Sequence, residues 1–354
     1  MNTPANMLPY ILDASFDRVC MVDDVTSFIW STRYYKAGDF QIALPVGSPN
    51  MQYMKAGNYV QRDGIGEIGI IENIAIDVDA DNHEIATISG RFLSSVLARR
   101  IIATQTVVSG TVGNCIKKLI NENAISPSIA ARKIPELQYG AFANITQQMQ
   151  QQFTGKNVLD AISDICEQYN LGFRTVLTDQ NKFAFELYKG VDRSYAQNAL
   201  PYVVFSNDYD NLEASNYAES YEEKVTDVLV AGEGEGIDRK TVWASKQTNS
   251  GLARYEIYQD ARNASSNNGE IPAATYLAQL REEGLESISA LTQAFAGTVF
   301  LGNIRLGIDF SIGDICTIEN TRWHVAANAR LIEIIESIDE NGVYTVTPTF
   351  NVGD

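Results

Sequence analysis

Strand-forming segments occupy both ends of this chain, and helical spacing is confined to the middle and to one stretch near residue 280. That order constrains the fold more than any other feature. At the N-terminal end, Phe16–Val22 and Phe28–Tyr35 are aromatic and β-branched, and Gly38-Asp39 turns the chain into Phe40–Val46, the pattern of a hairpin. Ser48-Pro49 can start a short helical turn. Strand-like segments follow at Tyr59–Arg62, Ile68–Val78 and Glu84–Ser89, with turn residues Asp79-Ala80-Asp81-Asn82 between the last two. Within Ile68–Val78, Ile70, Glu72, Ile74 and Ile76 alternate loosely, as in a long strand with one wet face. Phe92–Ala98 reads as a short helix closing this unit.

From about Thr106 the texture changes. Val112, Ile116, Leu119 and Ile120 share one face of a helix over Val112–Asn121. A second helix is expected over Thr154–Tyr169, with Thr154 as its cap, an apolar stripe from Val158 to Tyr169, and Gly172 just past its end. The run Gln147–Gln152 between them reads as a polar connector, and Phe173–Leu177 pairs with Lys182–Leu187 across Thr178–Asn181. Strand texture returns at Tyr202–Ser206, Leu212–Tyr221, Val225–Ala231, Lys240–Ala244 and Ala253–Gln259. A third helix is expected over about 273–293, carried by Tyr276, Leu277, Leu280, Leu285, Ile288 and Leu291. Gly284 interrupts it, a cost of about 1 kcal/mol against Ala that marks close packing or a kink. Phe295–Leu301, Asp314–Glu319, Trp323–Ser337 and Val343–Phe350 finish the chain, the last two joined through Asn341-Gly342, a strong hairpin signal.

The expected fold is therefore α+β and β-rich. Its order is a β-unit over 1–105, an α+β insert over 106–200, and a second β-unit over 201–354 that includes the helix at about 273–293. Apolar residues make up 45% of the 354 positions, enough for real cores. No apolar run reaches the ~20 residues of a membrane helix, and no basic-then-apolar leader opens the chain. Cys20, Cys115, Cys166 and Cys316 form no C-x-x-C pair and sit among apolar neighbours, so buried, reduced thiols and synthesis in a cytoplasm are expected.

Charge is the second constraint. The net charge of −17 argues against gripping a phosphate backbone, which needs clustered Lys and Arg. Between Ser206 and Asp238 stand ten acidic residues, Asp208, Asp210, Glu213, Glu219, Glu222, Glu223, Asp227, Glu233, Glu235 and Asp238, against Lys224 alone. Ten minus one leaves −9, over half the total. Two readings stay open: a solvated face, the ordinary fate of charge runs, or a surface that repels nucleic acid.

The chemistry of an enzyme is hard to find. His83 and His324 each stand alone, without the helical partner or Cys neighbour that zinc needs. No G-x-S-x-G elbow and no phosphate-binding G-x-x-x-x-G-K-[ST] loop occurs. Val228–Gly236 (VLVAGEGEG) resembles a dinucleotide loop, but Glu233 and Glu235 would repel a pyrophosphate and no helix follows, so a Gly-rich hairpin is the better account. Paired carboxylates such as Glu282-Glu283 or Asp208 with Asp210 occupy ordinary solvated positions. No catalytic residue, metal ligand or cofactor site is assigned.

Several segments, in order over roughly residues 16 to 350, resemble the siphovirus tail hub or tail-associated proteins of phages of Gram-positive bacteria. They are Ser31–Phe40 (STRYYKAGDF), Gly69-Ile70-Ile71-Glu72, Ser89-Gly90-Arg91-Phe92-Leu93 with Arg99-Arg100, and Asn170-Leu171-Gly172-Phe173. Further on come Tyr188–Arg193 (YKGVDR), Val204-Phe205-Ser206, Ala231-Gly232-Glu233-Gly234 ahead of Gly251–Glu256, and Ile312–Cys316. The resemblance implies a hub fold similar to contractile-tail baseplate hubs: two tube-like β-barrels per subunit, three subunits making a pseudo-sixfold ring around the DNA passage. It implies a non-catalytic structural subunit of the virion tail tip, joining a sixfold tail tube or distal tail protein to a threefold tip. Expected partners are other copies of the chain in a homotrimer, the distal tail or tail tube protein, the tape measure protein, and tip or fibre proteins. No specific nucleic-acid binding is expected. Lytic or fibre domains, where the family has them, come after this region, and the chain stops at Asp354 after its last strand.

Under this reading the acidic residues Asp208, Asp210, Glu213, Glu219, Glu222, Glu223, Asp227, Glu233 and Glu235 are candidates to face the lumen. Gly38, Asp39, Gly90, Gly313 and Asp314 are expected to serve turns of the barrels. The alternatives are a cell-wall hydrolase or peptidase and a carbohydrate-binding adhesin. The adhesin predicts an exposed aromatic platform.

Overall fold

A computed structural model describes residues 7–78, 84–220, 222, 224–288, 292–299 and 304–352. Side chains of 213, 214 and 292–294 are not described. The turn expected at 79–82, together with His83, Glu223 and Leu291, lies outside the described residues.

The protein is β-rich, with three α-helices of at least nine residues among the described ones. Eight strands form one antiparallel row: Leu212–Ser220, Thr292–Val299, Tyr344–Val352, Val325–Ile338, Ser27–Arg33, Asp39–Pro45, Glu84–Arg91 and Asn73–Val78. Its first four strands come from the C-terminal end of the chain and its last four from the N-terminal end. Each set of four has the same connectivity: in chain order a, b, c, d, it is laid out in space as a-b-d-c. The two sets meet where Glu333 to Ile338 pair with Arg33 to Phe28. Val204–Ser206 and Ile315–Asn320 extend the sheet off this row, beside the first half of Val325–Ile338.

Under the N-terminal set lies a four-stranded sheet, ordered Arg18–Met21, Pro9–Leu12, Tyr59–Arg62 and Ile68–Ile70. Trp30, Phe40, Ile42, Ile88 and Phe92 fill the space between with Ile11 and Val60. Alternation explains this placement, since Phe40, Ile42 and Leu44 point inward and Gln41 and Ala43 do not. The C-terminal set has a separate core of Phe205, Phe295, Phe310, Ile318, Leu331 and Phe350.

The insert holds α1 (Val112–Ile120) and α2 (Val158–Gln168) over the strands Leu137–Phe142, Phe183–Tyr188 and Gly172–Leu177. The Phe173–Leu177 hairpin pairs as expected. Two expectations fail here. Gln148–Phe153 is a strand, antiparallel to Thr106–Thr111, where a loose connector was expected. Its glutamines carry no strand propensity of their own; Met149 and Phe153 are buried and hold it in place. The cap of α2 is Asn157, whose side chain accepts from Leu159 N at 2.9 Å, not Thr154. Gly155, at φ +73°, separates Thr154 from the helix.

Within the C-terminal third sits a small module over 225–288 with its own core. Three strands, ordered Thr241–Ser245, Asp227–Ala231 and Glu256–Asp260, carry α3 (Ala273–Glu286) on one face. The Gly-rich segment is a hairpin turn, as expected: Asp227–Ala231 pairs antiparallel with Thr241–Ser245, and Gly234 and Gly236 take positive φ. The helix expected to run to 293 stops at Glu286, and Thr292 already begins a strand. Tyr276 and Leu280 are buried on the module's sheet, with Leu277, Leu285 and Ile288 packed at its margin. Residues 292–299 pair instead with both neighbours in the long row, which overrides helical spacing. Trp323 and His324 lie in a turn before Val325–Ile338 rather than inside the strand, with His324 at φ +54°. Gly90 stands within a strand, where a Cβ would meet the Ile70 carbonyl oxygen at 1.7 Å, so it serves a close crossing and not a turn.

Candidate assembly surface

The long row has two open edges. Asn73–Val78 pairs on one side with Glu84–Arg91 and, among the described residues, with no strand on the other. All six of its residues are exposed. Ile74 and Ile76 stand opposite Ile88 and Ala86, which are buried in the N-terminal core. The apolar face of the sheet therefore runs past the core and out to the edge, where Ile74, Ile76 and Val78 lie uncovered. At the other end of the row, Leu212–Ser220 pairs with Thr292–Val299 alone among the described strands. Open edges of this length invite pairing with another chain.

The in-chain junction between the two sets is sealed by charge as well as by the sheet. Arg62 Nη1 and Nη2 donate to Glu336 Oε2 and Oε1 at 2.7 and 3.0 Å, and Tyr344 OH donates to Glu336 Oε1 at 2.7 Å. Arg62 also lies 5.6 Å from the centre of the Trp30 ring. Both charges are almost fully withdrawn from water, and burial together with Glu336 raises the Tyr344 phenol. Arg33 adds a second pair across the seam, to Glu333 at 2.7 Å. Sequence reasoning missed all of this, because a strand pattern shows which residues face inward but not which distant one they meet.

Beside the clamp opens a cleft of about 440 Å³, bounded by Trp30, Arg62, Glu67, Arg174, Arg305 and Glu336. Glu67 keeps part of its surface on the cleft yet is packed round by protein. Desolvation pushes its carboxyl up to about 7, with Arg174 pulling it down and Glu186 pushing it up. The cleft is lined from three parts of the chain, Trp30 to Glu67, Arg174, and Arg305 to Tyr344, so it marks a joint between them. Among the described residues no group of three or more His, Cys, Asp or Glu could hold a metal ion. The four cysteines are free thiols; three are buried, and desolvation raises Cys115 to about 11.

The acidic residues do not share one surface. Asp208 and Asp210 are exposed in a turn beside the Leu212–Ser220 edge, and Asp208 accepts from Thr321 Oγ1 at 3.0 Å. Glu213 lies in that edge strand, and Glu219, exposed on it, accepts from Tyr217 OH. Glu222 is exposed in the turn beyond. Asp227 is only 2% exposed: it pairs with Arg254 and accepts from Thr226 Oγ1 and Asn249 Nδ2, inside the small module. Glu233 accepts from Ser266 N at 2.9 Å, and hydrogen bonds from Ser266 hold its carboxyl below the usual range. Glu235 is exposed at the hairpin tip.

This architecture has solved relatives at low sequence identity. The chain is similar to a tail protein from Neisseria meningitidis, at 14% identity and TM-score 0.60, covering 97% of this chain and 96% of that one. It is similar to the 43 kDa tail protein of prophage MuSo2 from Shewanella oneidensis, at 13% identity and TM-score 0.56, covering 98% of each. A third is prophage tail protein gp18 from Listeria monocytogenes, at 11% identity and TM-score 0.54, covering 97% and 94%. Among curated protein sequences none matches. The model of the Siphovirus ReqiPepy6 Gp37-like proteins matches residues 8–350, nearly the whole chain. With the β-rich tail-protein fold and the sequence agreeing over that length, the chain belongs to the Siphovirus ReqiPepy6 Gp37-like family of siphovirus tail proteins.

Proposed function

We propose that this chain is a structural hub subunit of the tail tip, and that copies of it close head to tail into a ring around the DNA passage. One observation carries the reading: the a-b-d-c layout occurs twice in a single row, and the row ends in two open edges. Inside the chain, strand c of the C-terminal set pairs antiparallel with strand a of the N-terminal set. The strands left open are c of the N-terminal set, Asn73–Val78, and a of the C-terminal set, Leu212–Ser220. Strand directions alternate along the row, so joining these two edges repeats the in-chain junction with the same antiparallel sense. A heterologous contact of this kind generates a ring when its rotation closes. Three copies would present six equivalent sets, the match a sixfold tube or distal tail ring needs above a threefold tip.

The ring reading places the uncovered Ile74, Ile76 and Val78 in an interface, and obligate interfaces cover about 2,000–5,000 Å². Of the acidic candidates, Asp208, Asp210, Glu219 and Glu222 are exposed on or beside the Leu212–Ser220 strand and are the ones proposed for the passage, where negative charge would keep a phosphate backbone from sticking. The role is non-catalytic, in the virion tail, with the tape measure protein and tip or fibre proteins as further neighbours. Light scattering over rising concentration, with imaging of the tail tip, tests this. Three chain masses and a ring on the tail axis are expected. A monomer at every concentration with density off the axis, or clearing of cell walls in a zymogram, would overturn it.

A further inference from the structure

We infer that the outer face of the small module is a binding site for a neutral oligosaccharide. In the sheet of that module, Leu229 on the central strand stands directly opposite Trp243 on one neighbour and Tyr258 on the other. The three side chains make a row across the face remote from α3, whose own side is filled by Val228, Val230 and Ala244. Trp243 is 43% exposed and Tyr258 56% exposed. Their strands are two spacings apart, ~10 Å, the span of two linked pyranose rings. Each ring is held by a guanidinium: Arg254 lies 4.6 Å from the Trp243 centroid and Arg239 lies 5.8 Å from that of Tyr258. Such fixed aromatic surfaces offer a flat apolar area with little rotamer freedom left to lose.

Charge matching selects the occupant. Arg239 and Arg262 pair with Asp260, and Arg254 pairs with Asp227 and Glu256. Three guanidiniums meet three carboxylates, and Glu235 lies near enough to act on Arg262, so the face carries no surplus positive charge on a chain of net charge −17. A polyanion finds no surplus cation there, and a strongly acidic second copy finds nothing to offset its own charge. A neutral sugar chain finds what it needs: ring faces for its C–H surfaces, and the exposed Glu256, Asp260 and Arg262 at the rim for its hydroxyls. The exposed polar end of the row is fixed in advance, because Asp260 is bound by both Arg262 and Arg239 and held low by those bonds.

The test is a panel of immobilised oligosaccharides, neutral tetramers of N-acetylglucosamine, glucose and galactose beside acidic glycans of similar length, probed with the full chain. Retention of at least one neutral tetramer is expected. Trp243→Ala and Tyr258→Ala should each weaken it about tenfold or more, the usual loss when a stacked aromatic anchor is truncated. Trp323→Ala, which removes an exposed indole elsewhere, should leave it unchanged. If Trp243→Ala destabilises the module in thermal unfolding, the more exposed Tyr258 carries the test. No retention of any neutral sugar, retention indifferent to both substitutions, or retention confined to acidic glycans abolished by salt overturns the proposal. Ring formation is read separately by mass, so either conclusion can fail without the other.

Discussion

Arg62 and Glu336, 274 positions apart, form a two-pronged ion pair inside the protein, at 2.7 and 3.0 Å, and tie the small N-terminal sheet to the seam of the long row. Side-chain exposures of 1% and 10% mean that neither charge has water to fall back on. Their mutual attraction offsets a desolvation cost of several kcal/mol per ion.

Breaking this pair from one side strands the other charge. Glu336→Gln or Arg62→Met should lower stability by about 3–5 kcal/mol, measured by denaturant unfolding. The double change Arg62→Met with Glu336→Leu should recover most of that loss. A double variant as unstable as the worse single one would show that packing, not charge, holds the seam.

The edge strand gives a prediction of opposite character. Ile76 is more than half exposed at the outer strand, so Ile76→Asp should leave the thermal midpoint of the isolated chain almost unchanged, within about 0.5 kcal/mol. The same change places a charge in the proposed junction between copies and should hold the chain as a monomer in light scattering. Unaltered ring mass in this variant would move the interface elsewhere.

Glu67 sets a pH dependence. Its carboxyl is raised from the usual 4.5 to about 7, so the folded state holds this proton more tightly than the unfolded chain does. The stabilising contribution is complete below pH 4.5, declines as pH rises from 4.5 to 7, and is gone above it. Glu67→Gln, which mimics the protonated acid, should match the parent near pH 4 and exceed it by about 1–2 kcal/mol at pH 8, the full shift being discounted for the part of the carboxyl open to the cleft. A stability difference that stays flat from pH 4 to 8 would show an ordinary carboxylate.

Gly284 in α3 tests packing against helix propensity. Alanine is the better helix former by about 1 kcal/mol, yet a Cβ there would lie 2.4 Å from Val230 Cγ2 and 2.8 Å from Ala244 Cβ. Overpacking of this kind costs about 1–3 kcal/mol, so Gly284→Ala should destabilise the module, with faster amide exchange in Asp227–Ala231. A more stable variant would show that α3 can slide away from its sheet.

Local signals in the sequence determined the pieces. The Asn341-Gly342 turn, the apolar stripe of α1, the Gly-rich hairpin after Ala231 and the Phe173–Leu177 pairing all rest on interactions within a few residues, and all stand in the structure. The ordered motifs carried the family. What the sequence could not set were the features that depend on residues far apart. Gln148–Phe153 becomes a strand because Thr106–Thr111 pairs with it, and 292–293 leave the helix because the long row needs their backbone. Asp227 leaves the acidic surface because it is buried against Arg254, 27 positions away. Leu229, Trp243 and Tyr258 line up only through strand register, and the two a-b-d-c sets join only through Glu333 to Ile338. Periodicity tells each residue which side to face; only the folded chain decides what it will find there.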